Sequence, residues 1–339
     1  MGEAVTGTIG DLVDQLHGAI GAPRLEATVD LGGCSVRFLL SEPAMRILDR
    51  FEQVAVADGR VADFEVACCT PDVVPAELLV QITQATTRTA RGRNLRRGYY
   101  ATDNFGPPAD LVSDGRRFVI IADDPEPVVW SYLVKYLLLR WSSTHESIFL
   151  KAAAVERDGH GVLLVARGGG GKTTMAMALA ARGSGLIANS HVLIRDGVMT
   201  GVATAIRVRE LDPSDPSRTL ERVVSPQSMH LPSATRSVPL SLVCLVARTE
   251  GSPSRVEHLQ PEVAEAVLTS FALGLDVYRL EEDLLDHLGG DYELFARASQ
   301  RIRARITEIA ERFPVVRVDH DVLRTGGAEA LAEMLWPGA

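Results

Sequence analysis

The sequence predicts a two-domain α/β protein, with a smaller α+β domain over residues 1–126 followed by a larger α/β domain over 127–339. Three observations predict it. Apolar residues make up 46% of the 339 and charged residues 23%, the composition of a packed globular chain long enough for two cores. Residues 23–126 alternate short β-patterned runs with helical patterns. Beyond residue 127 the rhythm changes, and an apolar hairpin leads through VARGGGGKTT (165–174) into an alanine-rich helical pattern.

In the first domain EATVDL (26–31), CSVRFLL (34–40), FEVACC (64–69) and RFVIIA (117–122) have strand length and strand residues. Helical patterns fall at Pro43–Val56 and Pro75–Thr87, and Asp58-Gly59 and Gly106-Pro107-Pro108 mark turns. The apolar run VVWSYLVKYLLLRW (128–141) is too short to span a bilayer and carries Lys135 and Arg140. It therefore reads as a core helix, with no membrane partner.

In the second domain Ser147–Glu156 and Gly161–Ala166 read as strands joined at Arg157-Asp158-Gly159-His160, where Asp-Gly supplies the positive φ angles of a tight hairpin. Thr173–Arg182 is a strong helix former, with Gly183 as its C-cap. Strands follow at Leu186–Ala188, His191–Ile194, Ala205–Arg209 and Leu240–Val246, with an Asp196-Gly197 turn. The Pro- and Ser-rich stretch from Glu210 to Pro239 reads as irregular, with residues 212–238 expected to form a lid or binding loop. Helices at 261–275, 278–288, 291–312 and 327–336 and a strand PVVRVD (314–319) complete the chain.

Composition also limits function. There are 35 Lys and Arg against 44 Asp and Glu, a net charge of -9, which excludes a general nucleic-acid partner because such proteins bind by neutralising phosphates. Any anion site is therefore local. Cys34, Cys68, Cys69 and Cys244 show no metal-ligand or disulfide spacing, and the N-terminal residues lack the basic and apolar regions of a secretory signal. A reduced, cytoplasmic protein is the expectation.

VARGGGGKTT carries the chemistry. A phosphate loop wraps successive backbone N–H groups around the β- and γ-phosphates at a helix N-terminus. It needs glycines for the curvature, a lysine for the phosphate charge and a hydroxyl for Mg²⁺. Gly168, Gly169, Gly170 and Gly171, with Lys172, Thr173 and Thr174, supply all of these, while the first glycine of the usual pattern is replaced by Ala166.

The segment from Phe149 to Arg209, including KAAAVERDGHGVLLVARGGGGKTTMAMALAARGSGLIANSHVLI, resembles the C-terminal domain of the HPr kinase/phosphorylase family. The resemblance implies an HPr kinase-like P-loop domain that uses ATP and Mg²⁺ and forms homo-oligomers. It further implies phosphorylation of a hydroxyl on a small molecule, amino acid or peptide in a biosynthetic pathway, with the N-terminal domain binding substrate or a partner. The chain departs from the pattern where the family has a histidine, which is Lys151 here, and where it has paired acids, which are Asn189 and Ser190. Two readings stay open. In one, Lys151 stabilises the transferring phosphoryl group, His191 takes the proton, and Thr173 and Asn189 hold the metal. In the other, the chain is a catalytically silent ATP-binding partner subunit of a biosynthetic complex.

Other residues draw structural readings. Arg207 and Arg209 share one face of a strand, and Arg88, Arg91, Arg93, Arg96 and Arg97 crowd a basic loop. Asp319-His320-Asp321 is expected in a turn, and Cys68-Cys69 in a packed strand.

Overall fold

A computed structural model describes residues 8–21, 25–51, 54–56, 61–85, 98–102, 108–167, 169–212, 214–225, 237–249, 255–272, 285, 291–320 and 326–335. The chain is a mixed α/β protein that divides into two compact units, one of residues 1–140 with 278–296 and one of residues 141–277 with 297–339.

The first unit opens with a helix the sequence reading did not name, α1 (Ile9–Ile20). Its start is fixed chemically, because the Thr8 hydroxyl accepts from Asp11 N–H while the Asp11 carboxylate accepts from Thr8 N–H at 2.7 Å. This is a reciprocal cap that satisfies two donors at once. Seven strands follow: β1 (Leu25–Asp30), β2 (Ser35–Leu40), β3 (Ala55–Val56), β4 (Phe64–Cys69), β5 (Tyr99–Thr102), β6 (Ala109–Ser113) and β7 (Arg117–Ala122). They form one sheet in the order β3-β1-β2-β4-β7-β6-β5, parallel at β2·β4 and β4·β7 and antiparallel elsewhere. Leu12, Val13 and Leu16 of α1 and Leu78 and Ile82 of α2 (Ala76–Ala85) pack with Ala67, Cys69, Val112, Val119 and Ile121 of the sheet.

The helical pattern expected at Pro43–Val56 is instead a 3₁₀ helix over Glu42–Arg50 followed by the short β3. The core helix is built in three pieces: α3 (Glu126–Val128), a π-helical turn (Val129–Leu133) and α4 (Val134–Thr144). Buried Lys135 donates to the carbonyls of Trp130 and Ser131, at 2.9 and 2.5 Å. Those oxygens lie where a widened turn alters the α-helical hydrogen-bond ladder. The crowded arginines at 88–97 lie outside the described residues.

In the second unit the expected strand Ser147–Glu156 is two strands, β8 (Ile148–Leu150) and β9 (Ala152–Arg157), broken at Lys151. β9 turns into β10 (His160–Val165) through Asp158 and Gly159, at φ 54° and 78°, as a two-residue hairpin with both central residues at positive φ requires. β11 (Gly185–Ala188), β12 (Val192–Arg195), β13 (Val198–Gly201), β16 (Ser237–Arg248), β17 (Arg255–His258) and β18 (Val315–His320) complete a nine-stranded sheet. Its main path runs β11-β9-β10-β16-β13-β12-β8, with β18 beside β16 and β17 beside β18. Asp319 and His320 therefore sit in a strand and not in the expected turn, because β18 continues its pairing with β16 as far as Arg248↔His320. Asp321 lies outside the described residues.

Helix α5 (Lys172–Ala180) covers one face of this sheet. Its Met175, Ala176 and Leu179 share one core with alternate residues of four strands: Ala153 and Val155, Val162 and Leu164, Leu242 and Cys244, Val316 and Val318. The period-2 strand pattern meets the helical one here. Ala328 and Leu331 of the C-terminal helix, Gly326–Leu335, join the same core. Helices Pro261–Ala272 and Tyr292–Arg312 stand where helical patterns were expected, whereas most of 278–288 lies outside the described residues. The stretch expected to be irregular holds an antiparallel ribbon, β14 (Ile206–Asp212) with β15 (Asp215–Val224). Residues 226–236 are outside the described set.

Candidate functional site

The glycine-rich segment lies between β10 and α5, within the second unit. Gly169 and Gly171 take φ angles of 73° and 89°, a region that side chains other than glycine rarely enter. Gly170 N–H closes a turn onto the Arg167 carbonyl at 3.0 Å. A Cβ on Gly170 would lie 2.9 Å from the Ala166 Cβ and 3.0 Å from the Arg167 oxygen, so a side chain there would force its neighbours to shift. Gly168 lies outside the described residues.

Gly171 is the N-cap of α5. No side chain caps the helix, and its first turn has no acid. The first N–H groups and the positive end of the helix are thereby left to an anion. Thr173 is half-buried and Thr174 exposed in that first turn. Lys172, the first helical residue, folds back so that Nζ donates to the carbonyls of Ala166 at 2.8 Å and Arg167 at 3.2 Å. Burial, and next the charge of Lys151, push its ammonium down to a pKa of about 8.

Sheet topology brings the remaining residues to the same place. β8 pairs with β12 (Leu150↔Val192) and β9 pairs with β11 (Ala154↔Ala188), so Lys151 and the segment Asn189-Ser190-His191 face each other across a gap in one antiparallel ladder. In the β9–β10 register Ala152 opposes Val165, which sets Lys151 beside the start of the glycine loop. Residues distant in sequence thus converge where two strand pairs part.

The chemical settings of these residues differ. Ser190 is half-buried. Asn189 is buried, and its amide is engaged: Nδ2 donates to the carbonyls of Ala205 at 2.9 Å and Thr204 at 3.4 Å, while the Thr204 hydroxyl donates to Oδ1 at 3.0 Å. His191 is 3% exposed and stacks on Phe149, with ring centroids 5.9 Å apart. Thr204 was not singled out in the sequence, since it stands fifteen residues beyond Asn189 with no motif linking them.

The loop has the local geometry of an anion site. Tight glycines, an uncapped acid-free helix start and a half-buried lysine at the first helical residue together form an anion cradle. The residues that would hold a magnesium ion, Thr173 and Asn189, offer neutral oxygens, and Asn189 Oδ1 already accepts from the Thr204 hydroxyl. Among the described residues no group of three or more His, Cys, Asp or Glu gathers into a metal site, so such an ion would fit as one carried largely by the nucleotide phosphates. The four cysteines are free and buried. Among the described residues no helix is long and apolar enough to cross a membrane.

No protein-family model matches the chain, and no curated protein matches it. Among solved structures, the Hpr(Ser) kinase/phosphatase from Coxiella burnetii matches at 12% identity over 56% of this chain and 99% of that one, with a TM-score of 0.25. A TM-score this low leaves the site to be argued from its own residues.

Proposed function

We propose that the second unit binds ATP with Mg²⁺ and transfers the γ-phosphoryl group to a hydroxyl of a small molecule, amino acid or peptide in a biosynthetic pathway. The first unit binds the acceptor or a partner. The observation that carries this reading is the convergence of Lys151 with the segment 189–191 at the mouth of an uncapped glycine loop. The loop amides and Lys172 hold the β- and γ-phosphates, and Lys172 exchanges two backbone carbonyls for phosphate oxygens as it does so. Lys151 stabilises charge on the transferring group. Thr173 and Asn189 are the residues that would hold Mg²⁺, which would supply charge neutralisation on the phosphates when bound. No acid is retained at the two positions where the resemblance expects one, so His191 accepts the acceptor's proton and phosphoryl transfer relies mainly on positioning and cationic stabilisation.

A second reading, a catalytically silent ATP-binding partner subunit, is favoured by the burial of His191 and the engagement of the Asn189 amide. Transfer of labelled γ-phosphate to a panel of hydroxyl acceptors separates the two. A phosphotransferase labels an acceptor, and His191→Ala slows it by about tenfold or more with ATP affinity unchanged. A chain that binds ATP but labels no acceptor, and gains nothing from Ser190→Asp, is the silent subunit.

A further inference from the structure

We infer that Thr204 is a positioning residue of the nucleotide site, fixing the side-chain amide of Asn189 in one orientation; this rests on the reading of Asn189 as an oxygen donor to Mg²⁺. Both side chains are buried, at 5% and 7% exposure. Two backbone carbonyls, of Ala205 and Thr204, face one end of the Asn189 amide at 2.9 and 3.4 Å. Only an N–H can satisfy carbonyl oxygens, so that end is Nδ2 and the other is Oδ1. The Thr204 hydroxyl then donates to Oδ1 at 3.0 Å, which occupies one acceptor lone pair and leaves the second.

The clasp has a second point, where Val202 N–H donates to the His191 carbonyl at 3.1 Å. Residues 189–191, which face Lys151, are thereby joined to residues 202–205, which lead directly into β14. The arrangement specifies an amide. A carboxylate in the same pose would set oxygen against two carbonyl oxygens and lose both Nδ2 hydrogen bonds. An acid is therefore not regained here by single substitution.

The test is ATP affinity with and without Mg²⁺, measured by calorimetry, with melting temperature as a control on folding. Thr204→Val keeps the shape and loses the hydroxyl, and Thr204→Ser keeps the donor. The wild type is expected to bind ATP more tightly with Mg²⁺. Thr204→Val should lose about tenfold or more of that enhancement, within the range for removing a group that orients a metal ligand, while its Mg²⁺-free affinity stays within about twofold. Thr204→Ser should retain the enhancement, and Asn189→Asp should lower the melting temperature without increasing the enhancement. If Thr204→Val is less stable yet keeps the full enhancement, or if Asn189→Asp is as stable as wild type with a larger one, the inference is wrong and the ATP reading stands. Absence of ATP binding by the wild type overturns both.

Discussion

Lys172 couples the anion site to pH, and the coupling has a calculable sign. Burial first, and the Lys151 charge second, lower its pKa from 10.5 to about 8. Between those values the unfolded chain holds more protons than the folded one, so stability rises with pH through the window from about 8 to 10.5. Below about 8 both states are protonated and the cost of the buried ammonium is fully present. At 1.36 kcal/mol per unit that cost is about 3 kcal/mol at most.

A bound polyphosphate favours the ammonium, raises its pKa in the complex and draws in a proton whenever the free site is neutral. ATP affinity is therefore expected to be flat up to about pH 8 and then to fall by up to about tenfold per pH unit. Lys151→Ala should move the break upward without reaching 10.5, since the larger cause, burial, remains. Calorimetry across this range in two buffers of different ionisation enthalpy reads affinity and proton uptake together. A flat affinity through about pH 9.5 with no proton uptake would refute the reasoning.

Three further outcomes follow from the packing. Gly170→Ala, whose Cβ would meet the Cβ of the buried core residue Ala166 at 2.9 Å, should weaken ATP binding by more than about tenfold and also lower the denaturant midpoint. Leu179→Ala, in the core beneath α5, should cost about 2–5 kcal/mol in a urea titration. Thr8→Ala removes the hydroxyl that caps α1 and leaves the backbone N–H bond to Asp11 in place, and should cost about 0.5–2 kcal/mol by the same measurement.

Much of the framework was legible because it follows from local rules. FEVACC and RFVIIA stand as β4 and β7 over the residues their patterns mark, and Asp158-Gly159 makes its hairpin because few residue pairs accept two positive φ angles. The start of α1 was legible in principle, since Thr8-x-x-Asp11 followed by Leu12, Val13 and Leu16 is a capping signal on a helical stripe. The break at Lys151 was not. The run from Ile148 to Arg157 is continuously strand-like, and what divides it is the partition of its partners, β12 for one half and β11 with β10 for the other. Tertiary pairing of this kind has no local signature. The Asn189–Thr204 clasp is hidden for the same reason, as is the ribbon β14–β15, whose prolines and serines read as loop while its residues pair across a hairpin.

The most direct test of the account is an ATP titration of the wild type and Lys172→Ala at neutral pH in the presence of Mg²⁺. The Lys172 side chain folds over the Ala166 and Arg167 carbonyls, where a phosphate would replace them. Removing it should weaken binding by about 1.5–3 kcal/mol, the range for a hydrogen bond to a charged group, which is roughly 10- to 150-fold in affinity. Equal affinity of the two proteins for ATP would mean that the glycine-rich segment is a turn and no nucleotide site.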